Sequence, residues 1–107
     1  MSKSIARVNE LQAKSPLPMI VTIDGEWGVS MRYDEYPVYP YQMQLGALTS
    51  DELIYQMGRY VGQECKDLNI YVNFAPTVDI NNNPDNPVIN TRSFGADKEK
   101  VARFGAA

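Results

Sequence analysis

Two short apolar runs, separated by one long amphipathic stretch, constrain the fold of this chain more than any other feature. Residues 19–23 (MIVTI) and residues 70–74 (IYVNF) are rich in β-branched and aromatic side chains. Both runs are too short for buried helices and are typical of strands. Because residues 19–23 are continuously apolar, we expect that strand to be covered on both faces, as in a parallel sheet.

Two segments with helical character lie outside these runs. The first covers residues 4–14, where apolar side chains recur every three residues, and two prolines shortly after it end the helix. The other begins at Asp97, which is a suitable N-cap for the final sequence DKEKVARFGAA. Each is therefore predicted to be a short helix.

The helix between the two apolar runs has the clearest pattern. Its apolar positions recur at spacings of one, three and four residues: Leu53, Ile54, Met57, Val61, Cys65 and Leu68. Thr49 and Glu52 have the spacing of a capping box, which predicts Thr49 as the N-cap, and Asn69 ends the helix. Since Cys65 belongs to the apolar stripe, we expect a buried small hydrophobe rather than a reactive thiol.

The order of these elements predicts an α/β fold with parallel strands. Its connections are unequal. One or two residues join the central helix to the second strand, whereas residues 24–48 and 75–96, which follow the strands, are far longer than usual connections. In parallel α/β folds the loops that leave the carboxyl ends of the strands build the functional site. The site is therefore expected in residues 24–48 and 75–96.

Composition excludes several classes of function within these residues. The 107 residues contain no histidine and one cysteine, so they cannot hold a Ser-His-Asp relay, a histidine-ligated zinc or a four-cysteine metal site. A net charge of −3 argues against binding to nucleic acid or to an anionic membrane. No stretch approaches the roughly 20 apolar residues of a membrane span. We expect one globular domain without a cofactor or a metal.

Two carboxylates begin the first long loop. Asp24 directly follows an apolar strand, where it can accept hydrogen bonds from sugar hydroxyls, ligate a metal, act as a base, or simply cap the turn before Gly25. Glu26 could pair with Asp24 as acid and base, although neighbouring carboxylates are common in loops. The residues alone leave these alternatives open.

Three further side chains in the long loops are candidates. Arg32 and Arg92 are the only arginines there, and each can bind ligand oxygens or form an internal ion pair that pins its loop. Trp27 could stack on a sugar face or pack beside the strand end. Function and packing again remain alternatives for each residue.

An oxygen-rich segment, Asp79-Ile80-Asn81-Asn82-Asn83, suggests a calcium loop at first sight. In an EF-hand, the sixth position is glycine and the twelfth is glutamate, whereas here they are Pro84 and Asn90. We therefore interpret this segment as an asparagine-rich turn.

Two longer segments resemble glycoside hydrolase family 3. Residues 21–28 (VTIDGEWG), followed by Met31 and Arg32, resemble the Asp-x-Glu-x-Gly segment after the second barrel strand of that family. Residues 73–79 (NFAPTVD) and the later NPVINTRSFGAD are similar to its third strand and following loop, in the wording of the β-N-acetylhexosaminidase branch. The resemblance runs from about residue 5 to the end and implies part of a (β/α)8 barrel, with about two parallel strands and flanking helices.

The resemblance implies a function and three substrate-binding residues. Asp24 corresponds to the aspartate that binds the hydroxyls of the terminal sugar, and Arg32 and Arg92 correspond to arginines of the same subsite. The activity implied by this branch is hydrolysis of terminal β-linked N-acetylhexosamine. The family retains configuration, with an aspartate nucleophile and a separate acid/base that in this branch is usually a histidine. Neither has a counterpart in these residues, so we expect an inactive fragment of the catalytic barrel domain that supplies part of the subsite.

The alternative is an α/β module that binds a carbohydrate or another polar ligand without catalysis. Under either interpretation, unpaired strand edges predict self-association. The compartment stays open between the cytoplasm and the periplasm or exterior of a bacterium.

Overall fold

Four α-helices and two short strands form the regular structure of residues 3–107, the part of the chain that the computed structural model describes. The elements are α1 (Lys3–Lys14), β1 (Thr22–Ile23), α2 (Gln42–Leu45), α3 (Asp51–Asp67), β2 (Val72–Asn73) and α4 (Lys98–Ala106). Single 3₁₀ turns lie at Val29–Met31 and Asn90–Arg92. The predicted alternation of helices and strands is confirmed, and α2 is an addition that the sequence pattern did not predict.

The two strands form a parallel pair, as predicted. Thr22 lies opposite Val72, and Ile23 lies opposite Asn73. The main-chain N–H of Phe74 donates to the Ile23 carbonyl at 2.8 Å, which continues the ladder beyond the assigned strand. This pairing places the starts of both long loops at one edge of the sheet.

The strands are covered on one face only, so the expectation that residues 19–23 are covered on both faces is wrong for the described chain. The side chain of Ile23 is 7% exposed, whereas that of Ile20 is 74% exposed. Ile70 and Tyr71 show the same contrast on the second run, at 7% and 74%. The reason is that α3 packs through Val61 and Cys65 on the face that carries Ile23 and Ile70. Self-association through the open edges stays a prediction.

Two hydrophobic clusters hold the helices and loops together. The first joins the sheet to α3 and the start of the first loop, through Ile23, Val29, Val61, Cys65, Leu68 and Ile70. The second joins α2, α3, α4 and the end of the second loop, through Leu45, Ile54, Phe94, Val101 and Phe104. Burial raises the pKa of the Cys65 thiol, which confirms the prediction of a buried residue. None of the helices in residues 3–107 has the length and apolar character needed to cross a membrane.

The N-terminus of α3 lies one residue beyond the predicted cap. Ser50, not Thr49, is the N-cap, and its hydroxyl accepts a hydrogen bond from the Glu52 main-chain N–H at 3.2 Å. The prediction of Thr49 was wrong because the spacing of Thr49 and Glu52 does not reveal backbone conformation. Ser50 has the extended backbone that an N-cap requires. At the other end, Asn69 has a left-handed φ of 57°, which confirms that it ends the helix.

The two candidate caps can be separated by substitution. We expect Ser50→Ala to lower the free energy of unfolding by about 1 kcal/mol, because the Glu52 N–H loses its acceptor. Thr49→Ala, the matched control, should change it by less than about 0.5 kcal/mol. Urea denaturation measures both, and a larger loss in Thr49→Ala than in Ser50→Ala would contradict the assignment.

Candidate functional site

The site begins where the two strands end. Asp24 follows β1 directly, and the side chain of Asn73 in β2 holds the next residue of the first loop. The Asn73 Oδ1 accepts from the Gly25 N–H at 2.9 Å, and its Nδ2 donates to the Gly25 carbonyl at 3.3 Å. The amide therefore continues the sheet pairing by one residue and fixes how the first loop leaves the strand.

An ion pair between Glu26 and Arg92 joins the two long loops. The Arg92 Nε donates to the Glu26 Oε2 at 2.9 Å and to its Oε1 at 3.1 Å, and the Arg92 Nη2 donates to Oε1 at 2.6 Å. The Glu26 side chain is 8% exposed, whereas that of Arg92 is 38% exposed. One edge of the guanidinium therefore lies on a buried carboxylate, and the rest of the group reaches the surface.

Neighbouring charges stabilise this pair in its ionised form. Hydrogen bonds from Arg92 are the largest cause that lowers the pKa of Glu26; desolvation opposes them, while a hydrogen bond from Thr77 and the charge of Arg32 help. The pKa of Arg92 is raised, chiefly by Glu26 and also by the charges of Asp79 and Asp24. Because Glu26 is held as an anion in contact with Arg92, the structure does not favour the idea that it pairs with Asp24 as acid and base.

Asp24 and Arg32 lie on the solvent side of the same cluster. The Arg32 Nη2 is 4.0 Å from the Asp24 Oδ2, and the two side chains are 50% and 62% exposed. An exposed ion pair at this distance is weak, so both groups can exchange it for a ligand. The three residues singled out in the sequence thus lie in one charged cluster at the strand ends, together with Glu26.

Sequence reasoning missed Gln42 on α2. This side chain is 1% exposed, and its Nε2 donates to the main-chain carbonyl of Glu26. Its Oε1 is buried and has no hydrogen-bond partner among the described residues. A four-residue helix has too few positions to show a period, so no pattern could have identified Gln42.

A close contact also holds α2 against the second loop. Gly46, just after α2, lies so near Phe94 that a Cβ on Gly46 would overlap the Phe94 carbonyl oxygen. The Gly46 carbonyl in turn accepts a hydrogen bond from the Lys100 Nζ at 2.8 Å. Since Phe94 is two residues after Arg92, this contact helps to hold the segment that carries Arg92 against the end of α2.

The two remaining candidates are Trp27 and the asparagine-rich segment, and their contacts are those of packing and of a turn. The rings of Trp27 and Tyr41 meet edge to face with centroids 4.7 Å apart, so Trp27 is engaged in packing. At the asparagine-rich segment, residues 79–83, the turn begins only at its last residue: the Asn83 carbonyl accepts from the Asn86 N–H at 3.1 Å, and the Asn83 Oδ1 accepts from the Asp85 N–H. The predicted turn is therefore displaced toward residues 83–86.

Comparison with known families gives one match over the whole chain. The family model described as "Glycosyl hydrolase family 3 N terminal domain" matches residues 1–107. A protein named beta-hexosaminidase A from Pseudoalteromonas piscicida is 40% identical over 101 residues, which cover 90% of this chain and 17% of the relative. A beta-N-acetylglucosaminidase/beta-glucosidase from Cellulomonas fimi is 36% identical, covering 94% of this chain and 18% of the relative.

Solved structures give the same picture. A family 3 beta-N-acetylglucosaminidase from a Paenibacillus species superposes with a TM-score of 0.81 and 43% identity, covering 94% of this chain and 20% of that structure. LpqI from Mycobacterium tuberculosis superposes with a TM-score of 0.80 and 29% identity, covering 96% and 31%. The chain therefore spans less than a third of the length of these relatives.

The contact at Gly46 predicts a sharp difference between two glycines. We expect Gly46→Ala to lower the free energy of unfolding by about 1–3 kcal/mol, because its methyl group would have to displace the Phe94 backbone. Gly58→Ala is the control: it lies within α3, where an added Cβ meets nothing within 4 Å, and should raise stability by about 0.5–1 kcal/mol. Urea titrations of both variants check this, and equal stabilisation by the two alanines would disprove the close approach.

The ion pair predicts a pH-dependent contribution to stability. Because the pKa of Glu26 is lowered from its ordinary value of 4.5, the pair stabilises the fold fully above that value, and the contribution is lost as pH falls through the lower, folded-state pKa. We expect Glu26→Gln to lower the free energy of unfolding by about 1–3 kcal/mol at pH 7. Below about pH 4.5, the difference in free energy of unfolding between this variant and the unsubstituted chain should become smaller.

The matched control is Glu10→Gln on α1, where the pKa is also lowered by hydrogen bonds, from Lys14 and Arg7, but the carboxylate is exposed. Salt screens exposed pairs far more than buried ones. Urea titrations in 0.5 M NaCl should therefore keep the effect of Glu26→Gln and abolish that of Glu10→Gln. If salt also removes the effect of Glu26→Gln on stability, the ion pair between Glu26 and Arg92 is not shielded from solvent ions.

Proposed function

This chain belongs to glycosyl hydrolase family 3, and we propose that it serves the hydrolysis of terminal β-linked N-acetylhexosamine by supplying part of the subsite that holds the terminal sugar. The observation that carries the proposal is the clustering of Asp24, Arg32 and Arg92 at the carboxyl ends of the parallel strands. These are the three positions where the resemblance implies contact with the sugar.

The chemistry of the cluster suits a polyhydroxylated ligand. The Asp24 carboxylate is exposed and accepts hydrogen bonds, which matches the hydroxyl donors of a sugar ring. The two guanidinium groups donate only, which matches ring and hydroxyl oxygens as well as an acetamido carbonyl. Charged partners on both sides of a ring fix its orientation more firmly than neutral hydrogen bonds do.

The names of the relatives support the preference for N-acetylhexosamine. One is named a beta-hexosaminidase, and another carries the names of both a beta-N-acetylglucosaminidase and a beta-glucosidase. A comparison of N-acetylglucosaminides with glucosides is therefore the appropriate test of specificity.

The roles proposed here are holding roles. Hydrogen bonds that tighten as the sugar distorts toward an oxocarbenium-like transition state speed both steps of a retaining mechanism. We assign no nucleophile and no acid/base among these 107 residues, which contain no histidine. We further propose that β1 and β2 are neighbouring strands of a (β/α)8 barrel, supported by their parallel pairing and by the superposition on family 3 structures.

Ligand binding by the 107-residue chain tests the proposal. We expect methyl N-acetyl-β-glucosaminide to shift amide signals of residues 24–32 in ¹⁵N–¹H NMR titrations, with weaker binding of methyl β-glucoside. Asp24→Ala, Arg32→Ala and Arg92→Ala should each weaken binding at least tenfold, as expected from the loss of one charge-assisted hydrogen bond. Asp34→Ala, an exposed carboxylate in the same loop, is the matched control and should leave the affinity unchanged.

Three results would count against this function. Saturable binding that ignores all three substitutions would place the subsite elsewhere. Equal affinity for unrelated polar ligands would favour the non-catalytic binding module. Release of p-nitrophenol from its β-N-acetylglucosaminide by these residues alone would show that the 107 residues themselves contain the catalytic groups.

A further inference from the structure

We propose that Glu26 is a positioning residue, which holds Arg92 so that only the far end of its guanidinium faces a ligand. The proposal rests on the function above, in which Arg92 contacts the sugar. The Glu26 side chain is 8% exposed, and both of its carboxylate oxygens accept hydrogen bonds from Arg92. Its effect on binding would therefore pass entirely through Arg92.

The donors of Arg92 can be accounted for one by one. A guanidinium has five N–H groups. Within residues 3–107, Glu26 accepts from Nε and from Nη2, and the Val88 carbonyl accepts from Nη1 at 3.4 Å. One N–H on each terminal nitrogen remains without an acceptor among the described residues.

The two remaining N–H groups lie on different nitrogens of one planar cation. They can donate to two oxygens of one ligand, such as hydroxyls of a sugar ring. Without Glu26, the guanidinium could rotate and offer any of its edges. Glu26 therefore converts a general cation into a two-point donor with a fixed direction.

Glu26 is itself held from several sides, which a positioning role requires. Gln42 donates to its main-chain carbonyl, and Asn73 fixes the preceding residue, Gly25, against the sheet. Arg32 has no comparable support, since its nearest carboxylate oxygen, on Asp24, is 4.0 Å away. Pre-organisation at the strand ends is thus concentrated on Arg92.

A double-mutant cycle tests this inference. We expect Glu26→Gln to weaken binding of methyl N-acetyl-β-glucosaminide about 5- to 20-fold and Glu26→Asp to weaken it less, because a shorter carboxylate still attracts Arg92. In the Arg92→Ala background, Glu26→Gln should cause no further loss, because a residue that acts through Arg92 has nothing left to act on. A merely structural role would add its loss in both backgrounds, and that result would overturn the proposal.

The control is Asp51→Asn, which removes another ion pair between distant segments, with the Arg103 Nε at 2.9 Å, outside the site. It should leave binding unchanged. A second readout is the Nε–H signal of Arg92 in ¹⁵N–¹H spectra, identified by its absence in Arg92→Lys. We expect a distinct, slowly exchanging signal that Glu26→Gln broadens or removes, and an unchanged signal would also overturn the proposal.

These readouts separate the two hypotheses. If Arg92→Ala weakens binding and Glu26→Gln does not, the proposed function stands and the positioning role of Glu26 is wrong. If the unsubstituted chain does not bind the sugar, or if the Arg92→Ala variant binds it as tightly as the unsubstituted chain does, the proposed subsite is wrong. The Nε–H signal then still decides whether Glu26 orients Arg92.

Discussion

The ion pair between Glu26 and Arg92 is the contact on which the arrangement at the strand ends depends. The two residues are 66 positions apart and belong to two long loops with little regular structure of their own. Loops of that length are costly to order, and the hydrogen bonds within each loop do not tie one loop to the other. A charge-assisted bond with two points of contact fixes both loops relative to each other in one step.

This ion pair is effective only because the surrounding structure pre-arranges it. Moving a carboxylate out of water is unfavourable, and attraction to one partner compensates only when the geometry is good. The sheet supplies one side of that geometry, through the Asn73 amide on Gly25. The second hydrophobic cluster supplies the other side, because buried Phe94 and the close approach of Gly46 hold the segment that carries Arg92. Apolar packing beside the charges thus helps to decide where the charges meet.

Sequence periodicity predicted those parts of the fold that repeat a local pattern. The helix at residues 4–14, the long central helix with buried Cys65, and the Asp97 cap are all confirmed, because each reflects spacing within one segment. The N-cap of the central helix was misplaced by one residue, since Thr49 and Ser50 have similar side-chain chemistry and only the structure shows that Ser50 holds the cap position. The exposed face of the strands was missed because an apolar run does not reveal how many layers cover it.

The site was predictable to a similar, partial extent. The order of strands and loops indicated where it lies, and the family resemblance singled out Asp24, Arg32 and Arg92. Nothing in the spacing of residues links Glu26 to Arg92, because the contact is formed by the tertiary fold and not by either loop alone. The proposed ligand-binding residues thus belong to a recognisable sequence motif, whereas the contact that holds Arg92 does not show in the sequence.

Under the proposed function, the division of charges in the cluster suits the requirements of a sugar ligand. Hydroxyl groups are well hydrated, so a protein gains affinity for them chiefly by having its donors and acceptors already in position. Arg92 meets that requirement because Glu26 occupies one of its edges, and it keeps a surface-exposed end. Asp24 and Arg32 remain loosely paired, so they can adjust to the ring as it changes shape. A fixed donor beside two adaptable groups is an arrangement in which orientation is set first and contacts tighten afterwards, as a distorting glycoside demands.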